Sequence, residues 1–164
     1  MDSKIMFAVQ KDKKELREIF QYYGMDLSGE IQGHVVIKEN GRILAGLKII
    51  EFQPGCFYLV VLCVREGDRS CGLGGFFLER IIENPRKYCS NLFPGSTSKV
   101  SFSITTIARG GASGFYSKYG FLPADFTVVP EAYQSQCEYC PWREGCNPIP
   151  MVYKKERDGL PEKC

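Results

Sequence analysis

The sequence lacks both a strong bias of charge and a long apolar run. Its 164 residues carry 21 lysines and arginines against 19 aspartates and glutamates, for a net charge of +2. This balance argues against a dedicated nucleic-acid binder or membrane-surface protein. No stretch approaches the roughly 20 apolar residues that span a bilayer. The opening MDSKIMFAVQKDKK has no signal-peptide core, so we expect a cytoplasmic protein with neither nucleic acid nor membrane as partner.

Histidine is almost absent, whereas cysteine is plentiful. The single histidine, His34, stands at the start of a predicted strand and is expected to be structural rather than catalytic. The eight cysteines are many for a cytoplasmic protein. Because a reducing compartment disfavours disulfides, they indicate metal ligands, reactive thiols or core residues.

The length fits one domain over 1–164, and a hydrophobic content of 44% is enough for one sizeable core. Asp12, with Glu15 three residues later, predicts a capping box at the start of a helix. The pair Asn40–Gly41 predicts a hairpin over 34–50. The run CFYLVVLCV at 56–64 is apolar almost throughout, which is typical of a strand buried on both faces.

The remaining pattern completes an α/β domain. A first strand is predicted at 4–10, and a glycine-led helix ends near Pro85. Further elements are a strand at 99–107, a short helix at 112–120 and strands at 126–129 and 150–155. The predicted order is therefore β-α-β-β-β-α-β-α-β-β, with a mixed sheet.

Three glycines, Gly72, Gly74 and Gly75, stand where a helix begins after the buried strand. Each glycine destabilises a helix by about 1 kcal/mol relative to alanine. Three glycines at a helix start therefore indicate that the backbone there must be free of side chains. The first N–H groups of a helix lack partners and carry partial positive charge, which suits a phosphate. A P-loop is excluded because no Gly-Lys-Ser/Thr follows, and a dinucleotide fingerprint because Phe77 replaces its third glycine.

What remains is Arg69-x-x-Gly72-x-Gly74 after a strand that ends at Val64. It resembles the acetyl-CoA-binding motif Q/R-x-x-G-x-G/A of the GNAT N-acetyltransferase superfamily. The segment RGGASGFYSKYGF at 109–121 resembles a later family segment, N-x-x-A-x-x-F/L-Y-x-K-x-G-F, with Arg109 in place of the asparagine. The resemblance covers roughly residues 4–129 and the last strand.

The resemblance implies a GNAT-like mixed sheet, splayed between its fourth and fifth strands and flanked by helices. It implies that the pantetheine arm of acetyl-CoA pairs with backbone near Cys63, Val64 and Arg65, with a further contact at Arg109 and Tyr116. It also implies that the pyrophosphate binds the amides of Arg69, Ser70, Cys71, Gly72, Leu73, Gly74 and Gly75.

Two residues are candidates for the chemistry. Tyr116 stands at the position that the resemblance assigns to the proton donor for the leaving thiolate, and a core tyrosine is the alternative. Glu51 follows an apolar strand and is the candidate base for the incoming ammonium, with a solvated strand-end glutamate as the alternative.

The family pattern does not account for the Cys-rich loop at 137–146, CEYCPWREGC, between the last two predicted strands. Cys137, Cys140 and Cys146 offer three soft ligands for zinc or an iron–sulfur cluster, although their spacing matches neither common ferredoxin pattern. Free thiols or a local disulfide are the alternatives. The candidates for a fourth ligand are Cys164, Cys89 and His34.

The sequence therefore predicts an enzyme that transfers the acetyl group of acetyl-CoA to a primary amine by direct attack. The acceptor, a small molecule or a protein amine, is left open, as are a monomer and a homodimer. One alternative is a non-catalytic CoA-binding or metal- and redox-responsive module. Another is an interaction domain whose surface loop binds a second protein.

Overall fold

The computed structural model of the protein describes residues 4–94 and 101–156. Its strands are β1 (Lys4–Phe7), β2 (Val35–Glu39), β3 (Arg42–Gln53), β4 (Cys56–Val64), β5 (Phe102–Ala108), β6 (Leu122–Pro123) and β7 (Ile149–Lys155). Its helices are α1 (Lys13–Tyr22), α2 (Leu73–Glu83), α3 (Ser113–Ser117), α4 (Glu131–Glu138) and α5 (Arg143–Cys146). None of the helices in this described part is long and apolar enough to cross a membrane.

The strands form one mixed sheet in the order β1-β2-β3-β4-β5-β7-β6. The β4–β5 pair is parallel, while β1–β2, β2–β3, β5–β7 and β6–β7 are antiparallel. The parallel ladder runs from Cys56↔Ser103 to Leu59↔Thr106, although β4 continues to Val64. The predicted α/β class, with a splayed mixed sheet, is confirmed.

By its contacts the chain divides into two compact units. One comprises Met1–Ile50 with Val60–Asn91, and the other Glu51–Leu59 with Leu92–Cys164. The prediction of a single domain over 1–164 stays a prediction. Residues 99–100 of the strand predicted at 99–107 lie outside the described residues.

The core of the first unit forms where α1 lies on the sheet. Leu16, Ile19 and Phe20 are the buried residues of this helix. A Cβ on Gly46 of β3 would collide with Leu16 and Phe20, so only glycine lets the helix lie so close. His34 is fully buried, and its ring nitrogens face the Ser28 N–H at 3.3 Å and the Glu30 carbonyl at 3.1 Å. Burial lowers its pKa, which suits a neutral structural histidine.

The core of the second unit is largely aromatic. Phe57 and Phe102 meet edge to face with ring centroids 6.2 Å apart, and Phe121 lies 5.6 Å from Tyr153. Gly120 has a φ of 88° and lies beside the Tyr153 ring, which suits a glycine closing the α3 segment.

Asp12 is the N-cap residue of α1, as predicted, but the predicted capping box with Glu15 is wrong, because no side-chain capping hydrogen bond forms there. The Asp12 carboxylate accepts the Val9 N–H at 2.8 Å and pairs with Lys38 Nζ at 2.7 Å. Burial pushes the pKa of this carboxyl upward, but the hydrogen bonds from Lys38 and Val9 outweigh it and hold the pKa below its ordinary value. Glu15 instead accepts the Ile43 N–H at 3.0 Å. The Asp12 side chain therefore binds Lys38 and the Val9 N–H instead of capping α1.

The strand predicted at 126–129 is also wrong. Residues Phe126–Val128 form a 3-10 turn, because the Asp125 carboxylate accepts the Thr127 N–H at 3.0 Å. The sixth strand is instead the short Leu122–Pro123. The segment predicted as a Cys-rich loop does lie between the last two strands, but most of it is helical, in α4 and α5.

Candidate functional site

A loop and a bare helix start connect β4 to α2 in the first unit. The loop contains the 3-10 turn Glu66–Cys71, and Gly72 caps α2 with a φ of 73°. The first hydrogen bond of the helix runs from the Phe76 N–H to the Gly72 carbonyl at 3.0 Å. The earlier amides of Leu73, Gly74 and Gly75 therefore lack partners within the helix.

The helix start faces open space. A Cβ placed on Gly72 would meet nothing within 4 Å, and the same holds for Gly67 in the loop. A positive φ at Gly72 excludes most other residues from the cap. Because helix-start amides carry partial positive charge, these residues fit a bound pyrophosphate. Cys71, directly before the cap, is exposed and has a free thiol.

The charged side chains of the loop are held by neighbours within the unit. The Asp68 carboxylate pairs with Arg42 at 3.3 Å. The nearby Glu66 carboxylate raises the pKa of the Tyr22 hydroxyl. The Arg69 guanidinium lies over the Tyr23 ring, 5.6 Å from its centroid. The negative charge of Asp68 is thus balanced by a cation, and Arg69 supplies a positive charge beside the start of α2.

The end of β4 is anchored to the same unit. The Tyr23 hydroxyl donates to the Val64 carbonyl at 2.5 Å, and the Arg65 N–H donates to the Leu44 carbonyl at 2.8 Å. Arg65 also forms an ion pair with Glu15. Cys63 is buried. The Val64 carbonyl and the Arg65 N–H therefore already have partners within the unit. The predicted pantetheine contacts near Cys63, Val64 and Arg65 stay a prediction.

Tyr116, in the second unit, lies on α3 inside an aromatic cluster. Only 8% of its surface is exposed, and its ring lies 5.1 Å from Phe115 and 5.4 Å from Phe121. The Phe121 N–H donates to the Tyr116 carbonyl at 3.2 Å, which fixes the chain after the helix. The cluster holds the ring in one place, as a positioned proton donor requires.

Tyr58, which lies near Tyr116 and Tyr133, was not predicted from the sequence as a site residue. Its ring is buried and lies 4.5 Å from Tyr133 of α4. Burial raises the pKa of Tyr58, and interactions with Tyr133, Cys137 and Tyr116 raise it further. Its hydroxyl therefore stays protonated. The available signal was a single hydroxyl in an otherwise apolar strand.

Glu51 lies near the turn that joins β3 to β4. It is buried, so the alternative of a solvated strand-end glutamate is wrong. Its Oε1 accepts the Gly55 N–H at 3.1 Å, directly after Pro54. The structure thus places Glu51 and Tyr116 in the same unit, and the assignment of Glu51 as a base stays a prediction.

The three cysteines of the Cys-rich segment are half-buried free thiols. Burial raises the pKa of the Cys137 thiol, against the lowering effect of Arg143 and Arg109. The Cys146 carbonyl accepts the Gly110 N–H at 2.7 Å, which ties the segment to the turn that follows Arg109.

No group of three or more histidine, cysteine, aspartate or glutamate side chains within residues 4–94 and 101–156 could hold a metal ion. The predicted zinc or iron–sulfur site at Cys137, Cys140 and Cys146 therefore has no support. Of the fourth ligands considered, Cys89 and His34 belong to the other unit, and Cys164 lies outside the described residues.

Comparison with known proteins places the fold. No family model matches the chain. The N-acetylglutamate synthase of Neisseria gonorrhoeae, in complex with coenzyme A and N-acetyl-glutamate, matches with a TM-score of 0.71 and 16% identity over 96% of this chain and 36% of the synthase. The present chain thus spans about a third of that enzyme's length.

Two further solved structures match over nearly their whole length. The ribosomal-protein-S18-alanine N-acetyltransferase of Escherichia coli has a TM-score of 0.66 and 18% identity, over 98% of this chain and 99% of that one. A GNAT-like decarboxylase in complex with isobutyryl-CoA has a TM-score of 0.62 and 14% identity, over 93% and 100%. The chain has the GNAT fold, as the sequence motifs predicted.

Proposed function

We propose that the protein is an acyl-CoA-dependent N-acyltransferase, which transfers the acetyl group of acetyl-CoA to a primary amine. The observation that carries this proposal is the start of α2, where left-handed Gly72 borders open space and the amides of Leu73, Gly74 and Gly75 have no partner within the helix. Solved structures of this fold that contain coenzyme A or isobutyryl-CoA support an acyl-CoA ligand.

Each group of residues has its own proposed role. The amides of residues 69–75 would hold the pyrophosphate, and the edge of β4 beyond Leu59 would pair with the pantetheine arm. Acetyl-CoA supplies a thioester whose C–S bond breaks as the C–N bond to the amine forms. Tyr116 would give its proton to the departing sulfur, and Glu51, directly or through a water, would take one from the ammonium.

The acceptor is proposed only as an amine. Among the matched structures, one acts on a ribosomal-protein alanine and another is in complex with N-acetyl-glutamate, so the fold serves both a protein and a small amino acid. The matched decarboxylase shows that the fold also carries a different reaction.

The test is calorimetric titration with CoA, followed by mass spectrometry of an amine panel incubated with acetyl-CoA. The panel should contain an alanine-led peptide, glutamate, a polyamine and an aminoglycoside. We expect CoA to bind and at least one amine to gain an acetyl group. Binding without transfer to any amine would favour a non-catalytic CoA-binding module, and absence of binding would refute the proposal.

A further inference from the structure

Two tyrosines at the end of α1 connect the helix to the loop that precedes α2. The rings of Tyr22 and Tyr23 meet edge to face with centroids 5.0 Å apart. The Glu66 carboxylate, at the first residue of the 3-10 turn, raises the pKa of Tyr22, while Tyr23 lies beneath the Arg69 guanidinium. The pair therefore contacts the loop at two points.

Tyr23 also reaches the strand that delivers the loop. Its hydroxyl donates to the Val64 carbonyl at 2.5 Å, one residue before Arg65 turns the chain away from β4. Burial raises the pKa of this hydroxyl, so it remains a donor at neutral pH. A single side chain thus holds the strand end with its hydroxyl and the loop arginine with its ring face.

Arg69 depends on that ring for its position. Its side chain is exposed, and no carboxylate in the described part of the chain lies within 4.0 Å of its guanidinium. A cation over an aromatic face is attracted by the ring quadrupole. A long side chain that is already positioned loses less rotamer freedom when it meets an anion.

We propose that Tyr23 is a positioning residue for the phosphate groups of CoA, acting through Arg69 and through the end of β4. The inference rests on the proposed function and adds to it, because neither the glycine motif nor the fold assigns a role to α1 in phosphate binding.

A double-mutant cycle tests whether Tyr23 acts through Arg69. CoA affinity is measured by calorimetry for Tyr23→Leu, Arg69→Met and the double variant. We expect Tyr23→Leu to weaken CoA roughly three- to tenfold, and to add less than twofold in the Arg69→Met background, because coupled residues are not additive. Full additivity of the two effects would overturn the proposal.

The salt dependence of binding separates this role from a purely structural one. Tyr23→Leu should flatten the dependence of the CoA dissociation constant on salt, because the Arg69 cation is no longer held in position for the phosphates. Tyr23→Phe keeps the ring and should retain the salt dependence of the wild type. Equal slopes in the wild type and Tyr23→Leu would contradict a role through Arg69.

A matched control is available in the same unit. Tyr88 is buried, and the Lys87 ammonium lies over its ring at 5.6 Å, yet neither residue belongs to the loop. Tyr88→Leu should leave the CoA affinity of the folded protein unchanged, and thermal melting checks the fold of every variant. If the wild type does not bind CoA, the proposed function fails and takes this inference with it. If the wild type binds CoA and the Tyr23 variants bind it with the same affinity, this inference fails and the proposed function stands.

Discussion

The loop and helix start at 66–75 and the stretch at 131–146, which contains α4, α5 and the Cys-rich segment, differ in how they are held. In the loop, Glu66, Asp68 and Arg69 each have a partner within their unit. In the segment, neither α4 nor α5 contains a buried residue. Its two large aromatics, Tyr139 and Trp142, are 80% and 76% exposed.

The difference indicates which of the two regions is better prepared to bind CoA. A loop whose charges are fixed before binding pays less ordering entropy for each phosphate contact. The segment is tethered mainly by Tyr133 against Tyr58, Arg143 over Phe126 at 4.9 Å and the Gly110–Cys146 hydrogen bond. We therefore expect changes in the loop to alter CoA binding, and changes in the segment to leave it intact.

The largest effect is expected at Tyr116, which shares a unit with the segment but belongs to neither region. Tyr116→Phe keeps the ring between Phe115 and Phe121 and removes only the hydroxyl. We expect kcat to fall roughly 10- to 10³-fold, as for loss of a general acid, with the CoA dissociation constant nearly unchanged. Steady-state kinetics across pH measure it. Turnover equal to the wild type would exclude Tyr116 as the donor.

A smaller effect, on binding alone, should follow from Gly74→Val. Branched carbons on the first turn of α2 would occupy the space that a pyrophosphate needs. We expect CoA to weaken by about 10- to 100-fold, since charge-assisted hydrogen bonds are each worth about 1.5–3 kcal/mol. Gly145→Val is the matched control in α5, where a Cβ meets nothing within 4 Å. Calorimetry showing equal loss in both variants would erase the contrast between the regions.

Cys71 offers a chemical probe of the loop without mutation. Its thiol is exposed and lies directly before Gly72, whereas Cys146 is half-buried at the end of α5. Saturating CoA should slow alkylation of Cys71 by iodoacetamide several-fold and leave that of Cys146 unchanged. Mass spectrometry of the alkylated peptides gives both rates in one sample. Equal labelling of Cys71 with and without CoA would place it away from the bound ligand.

The smallest effect is expected from the segment itself. Replacing Cys137, Cys140 and Cys146 together with serine should change CoA affinity by less than twofold. Added zinc should not raise the melting temperature of the wild type, because no metal-holding group occurs in the described residues. A zinc-dependent rise that the triple variant loses would restore the metal site.

Local chemistry decided which parts of the fold could be predicted. Asn40 and Gly41 both adopt positive φ, at 51° and 78°, so two residues suffice to predict the hairpin. The run at 56–64 coincides with β4 because nearly every side chain in it is apolar. The glycine-rich start of α2 could likewise be predicted, since the conformational freedom of a glycine depends on that residue alone.

Features that depend on residues far apart in the chain could not be predicted from the sequence. Asp12 holds the predicted N-cap position, but its carboxylate accepts from Lys38, 26 positions away, instead of from the helix backbone. The contact of Tyr23 with Val64 spans 41 positions, and nothing near either residue predicts it. The cysteine spacing suggested a metal, but Cys137 ends up in the last turn of α4 and Cys146 at the end of α5.

The place of β7 in the sheet has a consequence for how the chain is made. Among the strands of residues 4–94 and 101–156 it is the last in chain order, yet it lies between β5 and β6 and pairs with both. While the ribosome is still adding residues before Ile149, the edge of β5 that will face β7 has no ladder, and an unpaired edge invites aggregation. We therefore expect this edge of β5 to be protected only once β7 has been synthesised and has paired with it.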